Sequence, residues 1–377
     1  MGLDLDIFQE FNLTKPKGIN SLQVGMLQRA ADGLSTEDKG VFTQYQDDPI
    51  AFFKEILDVR TTEDMEELLE SVRDNQVTVA RSANATGKTF AAARVALWFY
   101  KAFPKSKVFT AAAPPESNLK RLLWGEIGAT VYQYPELFTN DKVLNLHIER
   151  NPESFITGVT IPLTGTSAQR EERFSGKHAP YMLFIVDEGN AVPPEVYKGI
   201  DSCMSGGHVR LLILFNPRTT AGPVYVKEQR GEANVIVMSA LSHPNVTTGM
   251  NLIPGAVTRE KTVDRINRWT RSLAPGEEVN KEDCFKVPDF LVGETAESPD
   301  GKVHPPLEDE WRRITEPTFY YMVIGEYPPQ SENQLINTDD IARARTRWDV
   351  YVAKFGETPP EGIQPYPESH PHRSTVS

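Results

Sequence analysis

An α/β fold on a mostly parallel sheet is the class this sequence predicts, and three stretches predict it. The first is Ser82-Ala83-Asn84-Ala85-Thr86-Gly87-Lys88-Thr89, a loop of small residues between a short apolar run (76–80) and an alanine-rich run (90–98). The second is Tyr181-Met182-Leu183-Phe184-Ile185-Val186, an apolar run ending in Asp187-Glu188. The third, 210–215, ends in Asn216-Pro217. Buried strands that end in polar residues and alternate with helical runs are the pattern of a parallel sheet with a ligand at its C-terminal edge.

The loop 82–89 ends in Gly-Lys-Thr and has the spacing of a phosphate-binding loop, with Ser82 in place of the usual first glycine. Strand, loop and helix are the context that motif needs. Amides in the loop and at the helix N-terminus face phosphate oxygens, and the helix dipole favours their charge. Lys88 would reach the β- and γ-phosphates, and the Thr89 hydroxyl would coordinate Mg²⁺. Ser82, Ala83, Asn84, Ala85, Thr86 and Gly87, with the preceding Arg81, complete the candidate nucleotide-binding stretch. At the end of the second strand Asp187 would hold Mg²⁺, and Glu188 would orient and deprotonate the attacking water. Asn216 is placed to contact the γ-phosphate or that water and to report hydrolysis to the rest of the chain. The reading is an ATP- and Mg²⁺-dependent P-loop NTPase of the ASCE type.

Further elements fall into order around these. Residues 1–75 read as a helical lid or subdomain, with a capping signal at Thr61-Thr62-Glu63. Residues 76–245 read as the ATPase core. Within it 107–112 is a second strand, followed by a helix from Glu116, and 144–148 with 154–159 reads as a hairpin at the sheet edge. Residues 235–238 form a further strand. Residues 246–335 read as a helical appendage, whose helix over 257–271 carries Arg259, Lys261, Arg265, Arg268 and Arg271. That basic face suits either solvent or DNA phosphates. Residues 336–377, rich in Pro, read as an extended or disordered tail.

Composition narrows the class. The 377 residues are 39% hydrophobic and 24% charged, the balance of a soluble globular protein large enough for two domains. No apolar run approaches ~18 residues, so no membrane span is expected. The start, Met1-Gly2-Leu3-Asp4, lacks the basic-then-apolar order of a leader. Cys203 and Cys284 form no metal-ligand spacing, and a reducing setting fits them. A net charge of −12 argues against a surface coated for DNA binding but leaves room for a local basic strip.

Six stretches, in order over about 45–335, together resemble the ATPase portion of phage terminase large subunits. They are the loop 81–89; Ala113-Pro114-Pro115-Glu116-Ser117-Asn118 with 122–127; Gly176-Lys177-His178-Ala179-Pro180 running into 185–189; 212–218 with Gly222-Pro223-Val224-Tyr225; Ser242-His243-Pro244-Asn245-Val246; and Val323-Ile324-Gly325-Glu326-Tyr327-Pro328. The resemblance implies an ATP-hydrolysing motor that moves double-stranded viral DNA into a procapsid. It implies a portal protein and a terminase small subunit as partners, and a homo-oligomeric ring, a pentamer in relatives. It places the chain in the host cytoplasm and transiently on the procapsid portal. It implies an arginine at the γ-phosphate, in cis or from a neighbour, for which Arg170 and Arg173 are preferred over Arg81 and Lys177. A positive guanidinium there offsets charge on the transferring phosphoryl group.

Two departures stand out. Met65-Glu66 occupies the place where relatives often carry an adenine-reading glutamine. The segment 336–377 is too short for the nuclease domain of relatives, so DNA cleavage by this chain is not expected. Two other functions share the plan: a nucleic-acid helicase or remodeller, and a non-catalytic assembly protein that binds nucleotide only to hold a ring together.

Overall fold

The computed structural model describes residues 42–162 and 165–329 and the helical positions Arg347, Trp348, Val352 and Lys354. The chain divides into two compact units, Met1–Pro328 and Pro329–Ser377, and the described strands all belong to the first. The expected helical start over 1–41 lies outside the described residues, as does most of the expected tail. The four described positions of that tail are helical rather than extended.

An eight-stranded sheet organises the first unit. Its strands are β1 (Val77–Ser82), β2 (Ser106–Ala112), β3 (Lys142–Leu144), β4 (His147–Asn151), β5 (Ser154–Gly158), β6 (Tyr181–Asp187), β7 (His208–Phe215) and β8 (Asn234–Met238), in the order β3-β4-β5-β2-β6-β7-β1-β8. All neighbours from β5 to β8 pair in parallel, and β3, β4 and β5 pair antiparallel at one edge. The hairpin thus sits at the sheet edge, as its alternation implies. β7 stands between the loop strand β1 and the carboxylate strand β6, the additional strand for which the ASCE type is named.

Both faces of this sheet are buried, because successive side chains of a strand point to opposite sides. Leu183 and Ile185 of β6 and Leu212 and Leu214 of β7 enter one cluster, while Phe184, Val186, Leu211 and Ile213 enter another. The first face is covered by α1 (Glu63–Asp74), α2 (Lys88–Ala102) and α3 (Trp124–Gln133). The second is covered by α5 (Pro194–Asp201) and α6 (Pro223–Gln229), with Phe174 just after α4 (Ser167–Glu172). Thr62 caps α1 by accepting from the Met65 amide, and acidic Glu63, Asp64 and Glu66 fill its first turn, a favourable place for negative charge. Packing runs across the expected boundary at 75/76: Phe42, Phe52, Leu68 and Val72 share one cluster with Ala80, Ala92 and Leu212.

The appendage after 245 is mixed rather than helical. It holds α7 (Arg259–Trp269) and a second, antiparallel sheet of β9 (Thr270–Ser272), β10 (Cys284–Lys286) and β11 (Trp311–Ile314), ordered β10-β11-β9. These strands are three or four residues long and carry Arg271, Arg312 and Arg313, so no apolar alternation marks them in the sequence. Their pairing is anchored by charge: Glu277 bonds both Arg271 and Arg313. Most of the basic residues of α7 are paired within this part, while Lys261 is exposed. Arg259 pairs with Glu294, Arg268 with Asp264, and Arg265 donates to the Met322 carbonyl. Apolar residues of this part, including Val257, Ile266, Phe319 and Val323, pack against Ala83 at the start of the loop. No helix among the described residues is long and apolar enough to cross a membrane.

Candidate active site

β1 delivers the chain to the sheet's C-terminal edge at Ser82, which is fully buried and lies in the strand. This explains why serine serves where a glycine is usual, since the turn comes later. Ala85 (φ 59°) and Gly87 (φ 93°) adopt the left-handed conformation that turns successive amides inward. The Thr86 hydroxyl closes the loop on the Ala83 carbonyl at 3.2 Å. α2 starts at Lys88 with no side-chain cap, so its first-turn amides face outward unmet. The far side of the loop is pinned: Ala83 N donates to Met238 O (2.8 Å), Asn84 N to Met322 O (3.3 Å), and Ala85 O accepts from Val257 N (2.9 Å).

Five side chains from three strand ends converge here. Lys88 Nζ donates to Asn216 Oδ1 at 3.0 Å and lies 3.3 Å from Glu188 Oε1. Thr89 Oγ1 donates to Asp187 Oδ2 at 3.3 Å. Asn216 Nδ2 donates to Ser82 O at 2.7 Å, which ties the end of β7 to the end of β1. Asp187 is 1% exposed, and burial pushes its carboxyl up to about 6, with Lys88 acting against that rise. Glu188, just beyond the strand, is half-buried and left-handed (φ 51°, ψ 43°). A cavity of about 590 Å³ opens from the loop and α2 toward Val59, Arg60, Met65 and the 252–256 segment. Arg94 and Glu126 line it and pair at 3.2 Å. That pair and Arg60 are not marked by any motif in the sequence.

Four candidate residues are not among the five that converge. Arg81 alternates to the opposite side of β1 from Ser82, where its guanidinium is 2.7 Å from Glu326 and 3.8 Å from Glu228 and lies over the Tyr327 ring. It is therefore outside the loop's cradle. Arg170 donates to Pro162 O and Arg173 to Thr160 O and Oγ1, at the exit of β5. β5 stands two places from β6 and four from β1. Lys177 lies over the Phe109 ring.

No family model matches the chain. A search of curated proteins finds the "Probable terminase, large subunit" of Enterobacteria phage P7, 23% identical over 318 residues, which are 82% of this chain and 54% of the relative. The chain is similar to phage terminase large subunits. It spans about half the length of this terminase relative. Among solved structures, the large terminase ATPase domain of Thermus phage P74-26 is 17% identical, covering 46% of this chain and 71% of that one with a TM-score of 0.35. The large terminase of the thermophilic bacteriophage D6E in complex with ADP is 12% identical, covering 48% and 46% with a TM-score of 0.38. The bacteriophage Phi-29 genome packaging motor assembly is 12% identical, covering 45% and 51% with a TM-score of 0.32.

Two expected results follow from the turn at 187–189. A carboxyl raised from 3.8 to about 6 on folding favours the folded state while protonated, and that contribution is lost as pH rises through about 6. Asp187→Asn should therefore stabilise the ligand-free protein at pH 7.5 by on the order of 2–3 kcal/mol, with the gain mostly gone by pH 4. Urea unfolding at the two pH values checks this; equal gains at both would refute the burial account. A Cβ at Gly189 would stand 2.3 Å from Ile213 Cγ2 and 2.8 Å from Tyr197 Oη, both in the core. Gly189→Ala should destabilise by about 1–3 kcal/mol through overpacking, read as a lower melting temperature.

Proposed function

We propose that the chain is the ATPase subunit of a viral DNA-packaging motor, driving double-stranded DNA into a procapsid by Mg²⁺-dependent ATP hydrolysis. The observation that carries this is the convergence of Lys88, Thr89, Asp187, Glu188 and Asn216 beside an uncapped helix N-terminus. Similarity to a terminase large subunit supports the substrate and the partners.

The residues present fit a magnesium nucleotide. Mg²⁺ usually takes one or two carboxylates, waters and substrate phosphates rather than an all-protein cage. Thr89 Oγ1 and Asp187 supply such a half-site, and among the described residues no group of three His, Cys, Asp or Glu competes for the ion. Bound Mg²⁺ would neutralise charge on the β- and γ-oxygens. The inward amides of 85–89 would hold the phosphates. Lys88 would exchange its partners Glu188 and Asn216 for phosphate oxygens, freeing the Glu188 carboxylate to orient a water and accept its proton. Asn216, released from Lys88 but still bound to Ser82 O, would sense the γ-phosphate. The cavity near Met65 and Arg60 would take the base; Glu66 is drawn away from it to Lys54 at 2.6 Å.

Arg170 and Arg173, bonded to the Pro162 and Thr160 carbonyls and carried beside α5, are the candidate arginines for the γ-phosphate, of this nucleotide or of one on a neighbouring copy. A ring of copies, a pentamer as in relatives, would then complete each site. The portal and the small subunit would recruit it, in the host cytoplasm and on the procapsid. The test is ATP turnover with Mg²⁺, alone and with duplex DNA and portal. Turnover should rise on assembly, and Lys88→Ala should weaken nucleotide binding at least about tenfold through loss of its charge-assisted bonds. An assembled mixture with no Mg²⁺-dependent turnover would sink the proposal.

A further inference from the structure

Asn190 sits two residues after Glu188, in the turn Gly189–Ala191. The backbone of that turn is well satisfied. Glu188 N donates to Asp187 Oδ1 (3.0 Å), Ala191 N to Glu188 O (3.0 Å) and Val192 N to Gly189 O (3.2 Å), while Tyr197 Oη donates to Gly189 O (2.8 Å). The Asn190 side chain is the exception: Nδ2 and Oδ1 are both buried with no hydrogen-bond partner. Among the described residues no other side chain leaves two such atoms unmet. A buried amide without partners is costly and calls for a reason, and such strain collects at sites with two arrangements.

Its surroundings supply the reason. The turn packs against β7 and α6, the elements on either side of Asn216 and the 217–222 loop. Lys88 holds Glu188 and Asn216 together from the other side. A phosphate that draws Lys88 away would release both ends of this arrangement at once, and Glu188 already occupies a left-handed conformation unusual for its type. An asparagine offers one donor group and one acceptor to groups brought near it, which no apolar residue does.

We propose that Asn190 is a positioning residue for hydrolysis: its amide, unmet in the ligand-free protein, gains partners in the 217–222 loop when Lys88 engages phosphate, and so fixes the turn that carries Glu188. This rests on the ATPase reading above. It differs from a structural role in one respect: a structural asparagine would stabilise the ligand-free protein, whereas this one should not.

The test uses Asn190→Ala in the full chain. Ligand-free, the variant should melt no lower than wild type, and up to about 2 °C higher. With Mg²⁺ and the β,γ-imido analogue of ATP, wild type should gain more in melting temperature than the variant. The variant's kcat should fall at least tenfold with KM for ATP within twofold. A kcat within twofold of wild type overturns the proposal, as does a ligand-free variant that melts lower. Should wild type hydrolyse no ATP even when assembled with duplex DNA and portal, the ATPase reading fails on its own. The melting arm then still decides, and equal shifts with the analogue overturn the role of Asn190.

Discussion

Glu188→Gln should lower ATP turnover by about 10³-fold while leaving nucleotide binding intact. Positioned general bases contribute ~10²–10⁴ to rate, and the proposed mechanism gives that role to Glu188, the carboxylate just past the end of β6. The change keeps the shape of the side chain and removes only its charge and its ability to accept a proton. Binding should survive because Lys88, now 3.3 Å from Glu188, loses a competing partner rather than a supporting one. Asp187 keeps its bond from Thr89 and its place at the end of β6. Single-turnover hydrolysis and a separate nucleotide titration check the two halves. A variant that still turns over ATP within threefold of wild type would remove Glu188 from the chemistry.

Asp141→Ala should destabilise the protein by about 3–5 kcal/mol, the largest effect expected of any change far from the site. Lys101, at the end of α2, is 2% exposed and bonds Asp141, itself 1% exposed, as well as the Leu137 carbonyl. Arg150 of β4 adds a contact to Asp141 at 3.4 Å. This pair joins the helix that starts in the phosphate loop to the edge hairpin. Burial already holds the Lys101 ammonium down at about 8. Removing Asp141 strands a buried charge, which is what makes breaking such a pair expensive. A lysine depressed on folding costs stability while it must stay protonated, and that cost falls as pH rises past its folded value toward 10.5. The loss should therefore be larger at pH 7 than at pH 9. The double variant Lys101→Met/Asp141→Ala should recover most of it, since the fully buried charge is then gone and Arg150, which also loses Asp141, is partly exposed to solvent. Denaturant midpoints of the two variants decide this; a double variant as weak as the single one would show that packing, not charge, is at stake.

Much of the site is legible in the sequence because its chemistry is local. The Gly-Lys-Thr turn, the Asp-Glu pair and the Asn-Pro strand end each announce themselves through neighbours a few residues away. The strand termini place them at one sheet edge, and Lys88, Thr89, Asp187, Glu188 and Asn216 do meet there. The three-stranded sheet after 245 is illegible for the opposite reason. Its strands are held by Arg–Glu pairs such as Arg313 with Glu277, and charge pairing leaves no period in the hydrophobic pattern. Glu126 beside Arg94 is equally silent, because nothing near either residue in sequence signals the other.

By itself the sequence determined the alternation of strand and helix, the small-residue loop that turns into α2 and the carboxylates that follow an apolar strand. Periodicity and turn chemistry act over a few residues, and a few residues suffice to read them. Tertiary structure alone decided that β7 separates β1 from β6, that Arg81 answers to Glu326 across 245 positions of chain, and that Arg170 and Arg173 bond the Pro162 and Thr160 carbonyls. It also decided that the amide atoms of half-buried Asn190 are hidden from solvent and unmet. A charged or polar side chain takes its role from whatever folding brings beside it, and strand order settles that only once the whole sheet has formed.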